Sequence, residues 1–106
     1  MVNVRIFRDG TRRWFYNGTN HRSNGPANTW HYGTRSWYQH GLLHRVDGPA
    51  FINAHGDMCW FRYGVRHRAD GPTYVYKSGQ LAWHWYGREV TEFEHMMLAG
   101  QEILNG

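Results

Sequence analysis

Residue character alternates over two short runs, a glycine separates the runs, and the whole pattern returns every 23 residues. Glycines stand at Gly10, Gly33, Gly56 and Gly79, tryptophans at Trp14, Trp37, Trp60 and Trp83, and a second glycine series at Gly18, Gly41, Gly64 and Gly87. Self-similarity in fixed register marks a stacked repeat rather than a domain with one private site. Between the runs lie Asp9-Gly10, Tyr32-Gly33, His55-Gly56 and Ser78-Gly79. A two-residue loop ending in glycine predicts a tight hairpin of the primed turn type, because glycine accepts positive φ. Four hairpins follow, with strands near 2–8 and 11–17, 27–31 and 34–40, 50–54 and 57–63, and 73–77 and 80–86. The expected fold is mainly β, an antiparallel meander of four 23-residue hairpin repeats in one elongated, twisted sheet over residues 1–90.

Period-two alternation sorts the side chains of these strands. One face receives Val4, Ile6, Phe15, Ala27, Thr29, Ser36, Tyr38, Ala50, Ile52, Cys59, Phe61, Thr73, Val75 and Ala82. The other receives the tryptophan series with Arg12, Arg35, Phe51, Met58, Arg62, Tyr74, Tyr76, Leu81 and Trp85. Neither face is plainly polar, so each needs cover from loops, curvature, a terminal element or another molecule. Residues 91–106 abandon the pattern and read as a C-terminal α-helix. Thr91 and Glu94 form a capping box, while Phe93, Met96, Met97, Gly100, Ile103 and Leu104 make one apolar stripe. A repeat array needs terminal caps, and the stripe is expected to shield the last hairpin. The competing reading makes it a methionine-rich docking surface for a partner or a second subunit.

Composition narrows the classes. A chain of 106 residues makes one domain, and with 17% aromatic residues the aromatic rings must supply most of the apolar burial. A net charge of +4 suits acidic partners: an acidic protein face, nucleic acid or an anionic membrane. The single cysteine, Cys59, excludes an internal disulfide and a multi-cysteine metal site, which fits a reducing compartment. No apolar run approaches the roughly 18 residues of a membrane span, and a cytoplasmic protein is expected.

Between the hairpins lies a near-constant loop: His21-Arg22-Ser23-Asn24-Gly25-Pro26, His44-Arg45-Val46-Asp47-Gly48-Pro49 and His67-Arg68-Ala69-Asp70-Gly71-Pro72. A base, a cation and a carboxylate invite a catalytic reading, yet the same residues build a turn. Asp or Asn can bond its own backbone, glycine supplies unusual dihedrals, and proline opens the next strand without a ladder donor. Arginine and histidine can then clamp the carboxylate or loop carbonyls. Near-identical copies point to folding, so His21, Arg22, His44, Arg45, Asp47, His67, Arg68 and Asp70 are expected to be structural. No arrangement of nucleophile and base breaks the symmetry, so no catalytic residue is assigned. Equivalent histidines of successive hairpins should stand roughly 10 Å apart, too far to share a metal. Neither a metal site nor a cofactor is expected.

The Gly-x-x-x-Trp-x-x-x-Gly spacing, the 23-residue period and one hairpin per unit resemble diverged members of the MORN repeat family. The His-Arg-x-Asp-Gly-Pro loop is similar to repeats in small phage and viral proteins. The resemblance covers residues 2–87 and implies an elongated sheet serving as a scaffold that binds proteins, with lipid proposed for some members. From the residues themselves, Arg, Trp and Tyr are the types enriched at binding hot spots. Arg12, Arg35, Trp37, Trp60, Arg62, Tyr74, Tyr76 and Trp85 form the expected partner-binding patch. The expected function is a non-enzymatic interaction module, such as a viral inhibitor or adaptor, occluding an acidic surface or helix of a host protein. Single-stranded nucleic acid or nucleotide binding on the same face is the alternative. A homodimer through the first edge strand or the C-terminal helix is also open to the chain.

Overall fold

Two kinds of turn, each marked by its own glycine series, fold the chain into short antiparallel strands. The computed structural model describes residues 1–105, with side chains through Ile103; Leu104 of the expected stripe lies outside the described side chains. The strands are β1 (Val2–Ile6), β2 (Arg12–Tyr16), β3 (Thr19–Asn20), β4 (Asn28–Thr29), β5 (Arg35–Ser36), β6 (Tyr38–Gln39) and β7 (Leu42–Leu43). They continue as β8 (Phe51–Ile52), β9 (Met58–Cys59), β10 (Phe61–Arg62), β11 (Val65–Arg66), β12 (Tyr74–Val75), β13 (Leu81–Trp85) and β14 (Arg88–Val90), followed by α1 (Glu92–Asn105). The main sheet runs β1-β2-β4-β5-β8-β9-β12-β13-β14 with β3 also on β2, while β6–β7 and β10–β11 pair separately. The fold is thus a mainly antiparallel β meander with one C-terminal helix, and the sheet is not closed. The molecule measures 47 × 32 × 18 Å.

The turns at the first glycine series enclose three residues, not two. Gly10 N–H donates to the Phe7 carbonyl at 3.0 Å and Phe7 N–H to the Thr11 carbonyl at 2.8 Å; the same pair of bonds recurs at Trp30, Asn53 and Tyr76. Only the glycine has positive φ there, between 96° and 105°, as in a type I turn closed by a glycine bulge. The primed two-residue turns occur instead at the second series. Asn17-Gly18, His40-Gly41, Tyr63-Gly64 and Tyr86-Gly87 have positive φ at both positions. They create β3, β7, β11 and β14, strands the sequence reading lacked.

The extra loop residue shifts each hairpin by one position, and a one-residue shift exchanges the faces of a strand. One cross-strand row reads Arg12, Thr29, Arg35, Ile52, Met58, Val75, Leu81; the other reads Arg13, Asn28, Ser36, Phe51, Cys59, Tyr74, Ala82. Directly opposed residues share a face. Thr29, Ile52 and Val75 therefore lie with the arginines, on what is here named the front, while Phe51 and Tyr74 lie on the back. This corrects the expected sorting.

Trp14, Trp37 and Trp60 each sit where a neighbouring strand leaves the sheet. Trp37 N–H donates to the Ala50 carbonyl at 2.7 Å, and its own carbonyl accepts from His44 N–H at 3.0 Å; Trp14 and Trp60 make the equivalent pairs. The intervening residues 45–49 and 68–72 bulge outward as loops, which split the long strands expected over 34–40 and 57–63. Small residues fill the junctions, with Ala27, Ala50, Thr73, Ser36 and Cys59 buried and the large aromatics only partly covered.

The capping box opens α1 as the sequence implied. Glu94 N–H donates to Thr91 Oγ1 at 3.1 Å and Thr91 N–H to Glu94 Oε1 at 3.0 Å, which also holds the Glu94 carboxyl below its ordinary pKa. The buried side is not the apolar stripe. His95 is buried, its ring edge-on to Trp85 at 5.4 Å and its Nε2 bonded to the Arg68 carbonyl. Leu98 and Ala99 turn inward beside it. With the helix phase fixed by His95, Phe93, Met96, Met97 and Ile103 point outward at 65%, 58%, 52% and 81% exposure. α1 is too short and polar to cross a membrane, and no other helix occurs among the described residues.

Candidate interaction face

The constant loop is a sandwich. Arg22, Arg45 and Arg68 lay their guanidinium carbons 4.2, 4.0 and 4.0 Å from the ring centres of Trp14, Trp37 and Trp60. Nη1 donates to the carbonyl of the loop proline, at 3.1 Å from Arg45 to Pro49 and from Arg68 to Pro72. Nε donates to Asn24 at 3.3 Å and to Asp47 and Asp70 at 3.1 Å, so the carboxylate is bonded by arginine rather than by its own backbone. The glycine is required for room, not for dihedrals. Gly25, Gly48 and Gly71 have no positive φ, and a Cβ would meet the guanidinium carbon at 3.0, 2.8 and 2.7 Å. Cation–π contact, two hydrogen bonds and a close backbone together hold each loop in one shape.

The loop histidine ties each unit to the next. His21, His44 and His67 Nδ1 accept the backbone N–H of His40, Tyr63 and Tyr86 at 2.9, 2.9 and 3.0 Å. Those three residues begin the primed turn of the following unit. The rings also stack, with centroids 3.9 Å apart for His44–Tyr63 and His67–Tyr86. An Nδ1 that accepts must be unprotonated, which places the hydrogen on Nε2. Burial lowers the pKa of all three, with His40 adding to the effect at His21 and Arg62 at His44 and His67; Glu102 opposes it at His67. At the opposite turns, Thr11 and Thr34 hydroxyls accept His31 and Ala54 N–H at 3.1 Å, and Asp57 accepts Lys77 N–H at 2.8 Å. The latter bond, with Asn53, depresses the Asp57 pKa. Sequence reasoning missed these acceptors, although positions 11, 34 and 57 are one period apart.

Successive loops wall a row of equivalent clefts on the front. A cleft of about 850 Å³ lies between the first and second loops, over Trp37 and Gln39 and beside His44 and Arg45. Its counterpart 23 residues on, about 610 Å³, lies over Trp60 and Arg62 beside His67 and Arg68. A third of about 500 Å³ precedes them, over Trp14 and Tyr16 beside His21 and Arg22. Arg62 lines the second of these clefts, Arg12 lines a further one of about 430 Å³ with Trp14 and Trp30, and Arg35 stands 5.8 Å from the Trp37 ring centre; all three are exposed and form no ion pair among the described residues.

Of the eight expected patch residues, six share the front. Trp37 and Trp60 line clefts, whereas Trp85 is partly covered by His67 and His95. Tyr74 and Tyr76 do not join them; they stack on each other at 5.4 Å on the back, as the corrected register requires. The back also carries two cation–aromatic clusters that the sequence reading left out: Arg13 over Phe15 and Trp30, and Arg66 over Phe61 and Tyr74. Among the described residues no group of three or more His, Cys, Asp or Glu side chains could hold a metal ion. Comparison with known protein families, curated proteins and solved structures finds no match to this chain.

Proposed function

We propose that this chain is a non-enzymatic protein-interaction module whose front face covers an acidic surface or helix of a partner, as an inhibitor or adaptor would. The observation that carries the reading is the row of three equivalent clefts, with Arg62 in the lining of one and the exposed Arg12 and Arg35 on the same face. Their walls are held by internal hydrogen bonds, so a partner meets a preformed surface and little ordering cost opposes binding. The same bonds argue against catalysis. Each loop histidine has its Nδ1 occupied by a backbone N–H, and each loop carboxylate is tied to its arginine. Stacking of nucleobases is disfavoured because Trp14, Trp37 and Trp60 each already carry a guanidinium on the ring.

The test is capture of partners from cell lysate by tagged protein, with and without nuclease, alongside the Arg35→Glu/Arg62→Glu variant. A protein retained in stoichiometric amount after nuclease by the original chain and lost by the variant is the expected result. Retention that vanishes with nuclease, and falls steeply with salt, would replace the reading with nucleic-acid binding.

A further inference from the structure

Charge is segregated along this chain. Residues 1–90 contain all 12 Lys and Arg residues against five acids, whereas residues 91–106 contain Glu92, Glu94 and Glu102 and no Lys or Arg. The acidic segment is α1, and its outward face is Phe93, Met96, Met97 and Ile103, all more than half exposed. An apolar stripe of this kind, unpartnered on a charged helix, is the usual occupant of an apolar groove or face. The basic segment supplies a matching surface on its back. Arg13 and Arg66 stand there over Phe15, Trp30, Phe61 and Tyr74, with Phe51 in the row between them. Among the described residues no hydrogen bond, ion pair or ring contact joins α1 or the Trp-covering loops to the side chains of that row.

We infer that α1 of one copy docks on the aromatic–arginine back face of a second copy. Helix-to-helix pairing through the same stripe would set Glu92 and Glu94, which flank it, against their counterparts with no Lys or Arg on either helix and only Arg88 beside Glu94 at 4.0 Å, so charge favours helix on sheet. Pairing through β1, whose five residues are all exposed, would use backbone groups and leave the stripe uncovered. The helix-to-sheet contact is heterologous: it closes as a dimer when both helices dock reciprocally and otherwise extends into chains. It leaves the front clefts free, so it stands whether or not they bind a partner.

The experiment combines sedimentation equilibrium over a wide concentration series with photo-crosslinking from a benzophenone amino acid at position 97. A mixture of isotopically labelled and unlabelled full chains separates intermolecular from internal links. Expected are concentration-dependent association that weakens as salt rises, a loss of about tenfold or more in affinity for Met97→Lys, and intermolecular links to the Trp30–Phe51–Tyr74 face. A second variant, Glu92→Gln, which removes one charge and leaves the Thr91–Glu94 capping box in place, should also weaken association. A chain that stays monomeric at every concentration overturns the inference, as do links to α1 or β1 of the second copy, or association indifferent to salt.

Discussion

His44 shows how one side chain can serve two units. Its ring covers Tyr63 and its Nδ1 takes the Tyr63 N–H, so protonation removes an acceptor and sets a cation against a donor. His21 and His67 do the same, and His84 of β13 is also buried, with its pKa lowered first by burial and then by Arg66. A histidine whose folded pKa lies below its unfolded value near 6.5 binds fewer protons folded than unfolded. Its contribution is complete above about pH 6.5 and is lost as pH falls through the folded value. Thermal melts between neutral and mildly acidic pH should therefore show stability falling below about 6.5, with the losses of several histidines adding. His44→Phe keeps a stacked ring and orphans the Tyr63 N–H. It should cost about 1–3 kcal/mol at neutral pH and flatten the acid limb of the curve. An acid limb unchanged in this variant would show that the clamp does not titrate with folding.

At the scale of the element, the loop of residues 44–49 is decided by three side chains and one absence. Gly48→Ala puts a Cβ 2.8 Å from the Arg45 guanidinium carbon, so the guanidinium must shift against Trp37, Asp47 and Pro49, which hold it. The substitution should destabilise by about 1–3 kcal/mol, the usual range for overpacking. In an Arg45→Ala background the same substitution should cost little, and a double-mutant cycle by denaturant melts measures the coupling. Equal cost in both backgrounds would mean that Gly48 is needed for its backbone alone. The element scale is also where the sequence was both legible and misleading. Period 23, hairpins, the capping box and the loop arginine's grip on its carboxylate all follow from residue types in register. Loop length did not, because a primed two-residue turn and a glycine-bulge three-residue turn both place one positive-φ glycine between alternating runs. That single residue exchanged the faces of strands such as β12 and carried Tyr74 and Tyr76 away from Arg12, Arg35 and Arg62. The outward turn of Met96 and Met97 was hidden for another reason. An apolar stripe reports which side of a helix wants cover, and His95 gained a ring contact and a carbonyl on the other side.

Across the whole molecule, stability must pass from neighbour to neighbour, because a body only 18 Å thick has no second layer to bridge distant units. Every interior turn is bonded by the unit before it: His40, Tyr63 and Tyr86 by loop histidines, and His31, Ala54 and Lys77 by Thr11, Thr34 and Asp57. The two ends are unequal. α1 covers the last units through His95 and Glu102, the latter accepting from the Tyr86 hydroxyl, whereas β1 pairs on one side only and is exposed along its length. Amide exchange should reflect this order, since local opening is easiest where few contacts must break. β1 should lose protection first, β13 should outlast it, and the amides of Trp37, Ala50 and Trp60, bonded at the junctions of interior units, should exchange last. Exchange measured residue by residue checks the order. If β1 amides persisted as long as those of Trp37 and Ala50, opening would be all-or-none from end to end, and the clamps would be coupling the units far more tightly than single hydrogen bonds can.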